Sequence, residues 1–508
     1  MKNNFFRYSY IIKLIYLIVT TYIFFNLINY YDGKKYIYIF FTASISLLFL
    51  SSFNKKEVKF FQFFFSIFLW LGFYYKLYIC LIIIKVFPEG TGSFNFLGKS
   101  YDEVLIVSSL AFLGFYLGCY FSPKKIFNYI NFQYLESIYY KFNKIILFLF
   151  ILITISIGVL NFNYSFFQKG FISNNLLDGH IRNIMGYFFM IGFGIGVSMI
   201  INFELNRGKF KILYLALFET FCISLSILSR VMIIELFVYI IGYISKLNQI
   251  KLNKISFANF FYFSIVSFIL IIFSIVYVNE ARDEKKIFLD KNENFTKELF
   301  INESTKLNNS ANQNHEKQFT LNVPPKLPVK SKNLNERHLH DYIHGFTNIL
   351  TSRFVGIEGV MAVQGYTNKN FELMHLSFRE KYKENKLSFY DEYFLQDTSL
   401  YSKSISKIVN QHAITLPGII AFTYYSGSKF FVLLISFIIA FIFNSVSIGV
   451  KNIFNNPILT AFISNLLAYR LIHWGFAPLN SYKLFLSLFL SLIMIMIINY
   501  AIKKYYLR

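Results

Sequence analysis

The sequence predicts an all-α polytopic membrane protein with about twelve transmembrane helices and one large external, mainly helical loop module. Of its 508 residues, 55% are hydrophobic, 21% are aromatic and only 15% are charged, which is far from the composition of soluble domains. Apolar runs recur along the chain, and many reach the roughly 20 residues that a helix needs to cross about 30 Å of hydrocarbon. One hydrophilic block, roughly Glu280 to Gln411, interrupts the series.

Each predicted span is an apolar run bounded by polar or charged residues. The spans lie near 11–30, 36–53, 59–86, 102–121, 144–161, 184–203, 211–229, 231–246, 257–278, 428–450, 457–475 and 482–502.

Lysine and arginine placement gives the orientation of the spans. Cytoplasmic loops carry an excess of these residues, and one alternating set of short loops holds most of them, including Lys55–Lys56, Lys124–Lys125 and Lys503–Lys504. We therefore expect both termini to be cytoplasmic and the large block to be external. The net charge of +23 then serves topology and contact with anionic lipids, and no nucleic-acid partner is expected.

Three parts of the chain follow from this pattern. Residues 1–278 form an N-terminal membrane domain with nine spans, 279–415 form the external loop, and 416–508 form a C-terminal membrane domain with three spans. Within the loop, residues 285–332 are rich in Asn, Lys and Glu without hydrophobic periodicity, which predicts disorder. Residues 335–410 are predicted to be helical, with an interruption near Gly356 or Gly359.

Several classes of chemistry lack their motifs. The sequence contains no P-loop, no Gly-x-Gly-x-x-Gly after a strand, no His-Glu-x-x-His and no Asp-x-Asp near an apolar segment. These are the patterns that bind nucleotides or catalytic metals. We therefore expect neither a metal nor another cofactor.

Arginines on the predicted outer side are the first candidate site residues. Arg182 precedes a glycine-bearing span, Arg353 lies in an apolar segment with Gly356, and Arg230 and Arg470 lie near span ends. A guanidinium stays ionised and can grip a diphosphate in a bidentate manner. The alternative is that each arginine extends to the membrane interface or pairs with a carboxylate.

Potential proton acceptors and sugar-binding residues are the second group. His412 stands directly before the tenth span, and a neutral imidazole there could accept a proton from a sugar hydroxyl. Glu358 is the competing base, unless it forms an ion pair with Arg353. His180, Tyr424 and Tyr425 could contact sugars, although such tyrosines are also typical of the membrane interface.

In layout and motifs the chain resembles the Wzy-type polymerases of bacterial polysaccharide repeat units, which are related to the O-antigen ligases. The resemblance rests on the many spans, the large late external loop, the Arg353 segment with Gly365, and the residues from His412 to Gly427. Family members often carry an external arginine followed by a glycine about eleven residues later. Here Gly192 follows Arg182 by ten residues and Gly365 follows Arg353 by twelve.

The resemblance implies a GT-C-like, metal-independent glycosyltransferase that makes O-antigen or capsule chains. Such an enzyme joins undecaprenyl-pyrophosphate-linked oligosaccharide units at the outer, periplasmic face of the bacterial cytoplasmic (inner) membrane. The expected partners are these lipid-linked units and membrane lipids, with a chain-length regulator and a flippase as further candidates. In this scheme Arg182 and Arg353 bind the diphosphate and His412 or Glu358 is the base.

Two other functions fit the same sequence. An O-antigen ligase would transfer the glycan to a lipid A core, and a flippase for lipid-linked oligosaccharides would move units without joining them. A non-catalytic scaffold or receptor, in which the block binds a partner, is the third alternative.

Overall fold

The computed structural model describes residues 3–53, 58–168, 179–250, 261–282, 354–381, 387–395 and 415–506. Helix accounts for 79% of the structure, and the described part of the chain contains no β-strand. The predicted all-α class is therefore confirmed. Residues 285–332, for which disorder was predicted, lie outside the described ranges, as do Arg353 and His412.

The helices follow one another along the chain in this order: α1 (Asn3–Ile28), α2 (Lys35–Leu50), α3 (Phe60–Ile83), α4 (Gly98–Phe121), α5 (Gln133–Tyr164), α6 (His180–Asn206), α7 (Leu213–Ser226), α8 (Met232–Gln249), α9 (Phe261–Arg282), α10 (Ile357–Gly365), α11 (Phe371–Phe378), α12 (Phe389–Phe394), α13 (Gly418–Tyr424), α14 (Lys429–Phe454), α15 (Pro457–Ile472) and α16 (Ser481–Tyr506).

Every predicted span overlaps one of these helices. Among the described residues, eight helices are long and apolar enough to cross a membrane: α1, α3, α4, α5, α6, α9, α14 and α16. Helices α2, α7 and α15 are apolar but shorter, and α8 has a charged residue near each end, Glu235 and Lys246. The chain is thus a polytopic membrane protein, and the larger number of crossings stays a prediction.

The helices form a central group and a rim. Nearly all of α15 is buried, as expected for a helix that is apolar all round. The most apolar windows of α3, α4 and α6 are 56–61% buried, whereas those of α1, α5, α9 and α16 are only 17–22% buried. The rim helices therefore present large apolar side chains outward, which suits contact with lipid.

Small residues bring two long helices close together. Gly114 and Gly118 of α4 lie against the backbone carbonyls of Leu433 and Phe437 in α14, where an added Cβ would overlap the carbonyl oxygen. A glycine every four residues is a common way to bring membrane helices into close contact. This contact fixes the C-terminal helices against the N-terminal ones.

Loops that the charge pattern places on one side meet at one end of the bundle. We call the end that carries Glu358 the outer end and the opposite end the inner end. At the outer end Arg282 Nε donates to Leu228 O at 2.8 Å. At the inner end Asn499 Nδ2 donates to Asn131 O at 2.9 Å. The predicted alternation of the helices is thus present, and the side of the membrane that each end faces stays a prediction.

The described part of the external loop packs onto the outer end. Helix α10 begins directly after Gly356, one of the two predicted points of interruption. Gly359 lies against Pro417, and Gly365 lies against Ser93. Buried residues of all three predicted parts of the chain belong to one hydrophobic core, so this segment is an integral part of the bundle.

Candidate functional site

A fully buried ion pair lies at the outer end between α3 and α10. Lys76 Nζ is 2.6 Å from Glu358 Oε2, with side-chain exposures of 0% and 1%. Lys76 Nζ also donates to Phe354 O at 2.9 Å. Burial raises the pKa of Glu358, and the neighbouring lysine charge partly opposes that shift. The predicted base Glu358 is therefore held by Lys76 in the interior, with its carboxylate away from the outer surface.

The backbone around this pair is built for close approach. Helix α3 contains two π-helical stretches, Trp70–Tyr75 and Ile79–Ile83, one on each side of Lys76, and such turns are frequent at functional sites. Gly72 of α3 faces Gly356, and a Cβ added to Gly356 would overlap the carbonyl oxygen of Gly72. Two glycines without side chains let the segment before α10 touch α3, and this contact places Glu358 beside Lys76.

Glu89 completes the cluster from the loop between α3 and α4. Its Oε2 lies 3.6 Å from Lys76 Nζ, and its side chain is 18% exposed. Burial raises the pKa of Glu89, the charge of Lys76 opposes that shift, and the charge of Glu358 adds to it. The resulting pKa is about 7. A partly exposed carboxyl with a pKa near neutrality can accept a proton and release it again.

Neither Lys76 nor Glu89 is among the site residues predicted from the sequence. A signal for Lys76 was nevertheless present, because it is a lysine inside the apolar run 59–86. Ionisable residues inside a membrane span are rare and commonly functional. Glu89 follows that run in a short loop and carries no comparable signal.

Two further carboxyls make hydrogen bonds in the external segment. Glu380 accepts from Phe389 N at 2.6 Å and from Ala477 N at 2.9 Å, so it bridges the start of α12 and the loop before α16. Asp391 is 3% exposed and accepts from Ser388 Oγ at 2.6 Å. Burial raises its pKa to about 6. The Glu380 bonds therefore tie the external segment to the loop before α16, whereas the Asp391 bond closes the first turn of α12.

A cleft at the outer end contains the predicted phosphate ligand Arg182. The cleft measures about 560 Å³ and lies between the first turns of α6 and of α16. Arg182 and Lys483 supply two cations to its lining, while Met190 and Leu486 are among its apolar residues. We call this space the Arg182 cleft. It combines positive charge with apolar walls, the two properties that an anionic lipid requires.

The other two candidate arginines within the described residues, Arg470 and Arg230, occupy separate positions. Arg470 donates from Nη2 to Ser481 Oγ at 2.6 Å and lies 6.0 Å from the ring centre of Trp474. Its partner Ser481 is two residues before Lys483, which lines the Arg182 cleft. Arg230 instead donates to Asn279 at the end of α9. The structure thus does not place all the candidate arginines in one cluster within the described ranges.

The candidate sugar-binding residues differ in their exposure. His180 is exposed at the start of α6. Tyr425 is fully buried and stacks on Phe394 with ring centres 4.5 Å apart. Tyr424 is 5% exposed, and Lys369 Nζ lies 5.5 Å from its ring centre. The two tyrosines support the packing of the external segment, and His180 is the one of the three that is accessible from outside.

The fold and the site together define a polytopic α-helical membrane protein with an acid–lysine cluster and a cation-lined cleft at one end of the bundle. No protein-family model, curated protein or solved structure matches the chain.

Proposed function

We propose that the protein is a metal-independent glycosyltransferase. It polymerises undecaprenyl-pyrophosphate-linked oligosaccharide units at the outer face of the bacterial cytoplasmic membrane. The polytopic fold, the packed external segment and the predicted outward orientation of that segment all suit a reaction on lipid-linked substrates. Within this proposal the number of membrane crossings is about twelve, as the sequence predicts.

The Arg182 cleft is the observation that carries the proposal. A polyprenyl diphosphate has a long apolar chain and a compact anionic head, so its site must offer both surfaces. Met190, Ile191 and Leu486 line the cleft together with Arg182 and Lys483. In our proposal the two cations hold the diphosphate and stabilise its charge as it leaves. Arg353, outside the described residues, is the expected third cation.

The chemistry requires one bond to form and one to break. An acceptor hydroxyl oxygen attacks the anomeric carbon of the donor sugar, and the bond from that carbon to the diphosphate oxygen breaks. The hydroxyl proton passes to a carboxylate or an imidazole. We assign this base role to Glu89 rather than to Glu358, because Glu89 is partly exposed whereas Glu358 is buried against Lys76. His412 is the competing base.

Chain growth in nanodiscs tests the proposal. The substrate is the lipid-linked unit that accumulates in cells lacking the gene, and products are separated by gel electrophoresis. Arg182→Ala and Lys483→Ala should each slow chain growth by about tenfold to a hundredfold, since each removes a charged hydrogen-bond donor to the diphosphate. Lys144→Ala is the matched control, because Lys144 is exposed on α5 near the inner end. Chain growth that is equally fast in all three variants would contradict the proposal.

The same assay separates the alternative functions. A ligase would lengthen nothing until a lipid A core acceptor is supplied. A flippase would move labelled units across the bilayer of liposomes that contain the protein, without joining the units. Either result would replace polymerisation as the activity while leaving the Arg182 cleft as the site for the lipid diphosphate.

A further inference from the structure

A second cavity lies at the inner end, away from the proposed site. It measures about 660 Å³ and is formed by the start of α3, the end of α4 and the end of α14. Its lining includes three lysines, Lys59, Lys124 and Lys451. Asp and Glu are absent from the described residues that line it. Several like charges around a concave surface concentrate the field inside it, so the cavity should attract anions.

Positive loops at this end are expected from the orientation of the spans, but they do not account for the polar interior of the cavity. Gln62 of α3 is 1% exposed and Asn444 of α14 is also 1% exposed, yet both line the cavity. Asn444 Nδ2 donates within the protein, to Cys119 O and to Ser122 Oγ, whereas a buried amide atom that has no partner at all is costly inside a membrane bundle. The arrangement therefore resembles a built site more than a charged surface.

Two amide atoms in the lining indicate what the ligand should offer. Gln62 Nε2 donates to Leu48 O at 2.9 Å and to Ser51 Oγ at 2.6 Å, while its Oε1 is buried with no hydrogen-bond partner among the described residues. Asn452 Nδ2 is likewise buried without an acceptor in the described structure. The first atom needs a donor, such as a hydroxyl, and the second needs an acceptor, such as a phosphate oxygen.

We propose that this cavity binds a phosphate ester that carries a free hydroxyl group. The lysines and Asn452 bind the phosphate oxygens, and Gln62 accepts a hydrogen bond from the hydroxyl. Two sources supply this chemistry: the head group of a lipid such as phosphatidylglycerol, and a soluble ester such as glycerol 3-phosphate. This site is separate from the proposed glycosyl transfer and does not depend on it.

Ligand-dependent thermal stability and native mass spectrometry of the purified full-length protein test the proposal. The probes are phosphatidylglycerol, phosphatidylethanol and glycerol 3-phosphate. Phosphatidylethanol has the same charge as phosphatidylglycerol but no hydroxyl group. We expect phosphatidylglycerol to bind more tightly than phosphatidylethanol, by about tenfold for one lost hydrogen bond to a buried amide. Stabilisation by glycerol 3-phosphate together with no detectable binding of either lipid would identify the soluble source instead.

Two double variants separate the site from general electrostatics. Lys59→Gln with Lys451→Gln should weaken binding by about tenfold or more, because two charged donors to the phosphate are lost. Lys141→Gln with Lys144→Gln removes the same charge from α5 outside the cavity lining and should leave binding unchanged. If the Lys59 pair fails to fold, Asn452→Ala replaces it with the same expected direction. Equal weakening by both pairs, equal binding of the two lipids, or no binding of any probe would overturn the proposal.

Discussion

Removing one partner of the Lys76–Glu358 pair should destabilise the protein strongly. Breaking a buried ion pair costs about 3–5 kcal/mol, because the remaining charge stays in the interior without its partner. After Glu358→Gln, Lys76 keeps Phe354 O at 2.9 Å and Glu89 at 3.6 Å, so we expect a loss near the lower limit. After Lys76→Met, Glu358 is left without the cation, and the loss should approach the upper limit.

The assay is equilibrium unfolding by SDS in mixed micelles, arranged as a double-mutant cycle. The double variant Lys76→Met with Glu358→Leu replaces the pair by apolar side chains and should unfold within about 1–2 kcal/mol of the original protein. The control is Glu103→Gln, which breaks the pair of Glu103 with Lys429, where the side chains are 35% and 39% exposed. That change should cost less than about 1 kcal/mol. The reasoning is refuted if Glu358→Gln and Lys76→Met cost no more than Glu103→Gln.

The pH dependence of Lys76→Met gives an independent check. Without the lysine, burial is opposed only by hydrogen bonds from the backbone, so it raises the pKa of Glu358 further above the unfolded value of about 4.3. The folded state then holds a proton that the unfolded state releases. Stability should be retained below pH 4 and should fall as the pH rises above it, by up to about 1.4 kcal/mol per pH unit until the folded pKa is passed. Unfolding curves between pH 4.5 and 8 would show the slope, and equal stability across that range would contradict it.

Three further predictions concern activity and folding. The rate of chain growth should rise with pH through about 7, since burial raises the pKa of Glu89 to about 7 and only its carboxylate accepts a proton. The variant Glu89→Gln should be slow and should lose this rise. An unchanged pH profile in the variant would exclude Glu89 as the base. Gly356→Ala should reduce the yield of folded protein, because its Cβ overlaps the Gly72 carbonyl. Gly158→Ala should not reduce the yield, because Gly158 has open space around it. Size-exclusion profiles of the two variants measure the difference. Deletion of residues 291–328 should leave chain growth in nanodiscs unchanged, and loss of polymer would show that this segment is required.

The sequence alone was enough to locate the long apolar helices. Long apolar runs determine where helices form in a membrane protein, since every backbone group must be satisfied within the segment. Helices α5 and α14 therefore follow directly from composition. The start of α10 agrees with one of the two predicted points of interruption, since Gly356 and Gly359 were the two glycines expected to interrupt this segment.

The partners in the buried cluster could not be predicted in the same way. Lys76 and Phe354 are 278 residues apart in the chain, and no local pattern links them. For Glu358 the sequence offered an ion pair with Arg353, which lies outside the described residues, as the alternative to a base role. Among the described residues the partner of Glu358 is Lys76. Contacts of this kind depend on how whole helices pack, which periodicity does not specify. For the same reason, only the arrangement of α6 and α16 shows that Arg182 and Lys483 line the same cleft.

The short central helix α15 has a consequence for the electric field across the membrane. Its 16 residues rise by about 24 Å, whereas the hydrocarbon layer is about 30 Å thick. Within the proposed set of about twelve crossings α15 is one, and its two ends then lie deeper between the surrounding helices than the ends of α5 or α14 do. The transmembrane voltage then falls over a shorter distance along α15 than along α5 or α14. A charge that moves near Arg470 or near Asn456, at the two ends of this helix, would experience a steeper voltage gradient than the same charge at the lipid boundary.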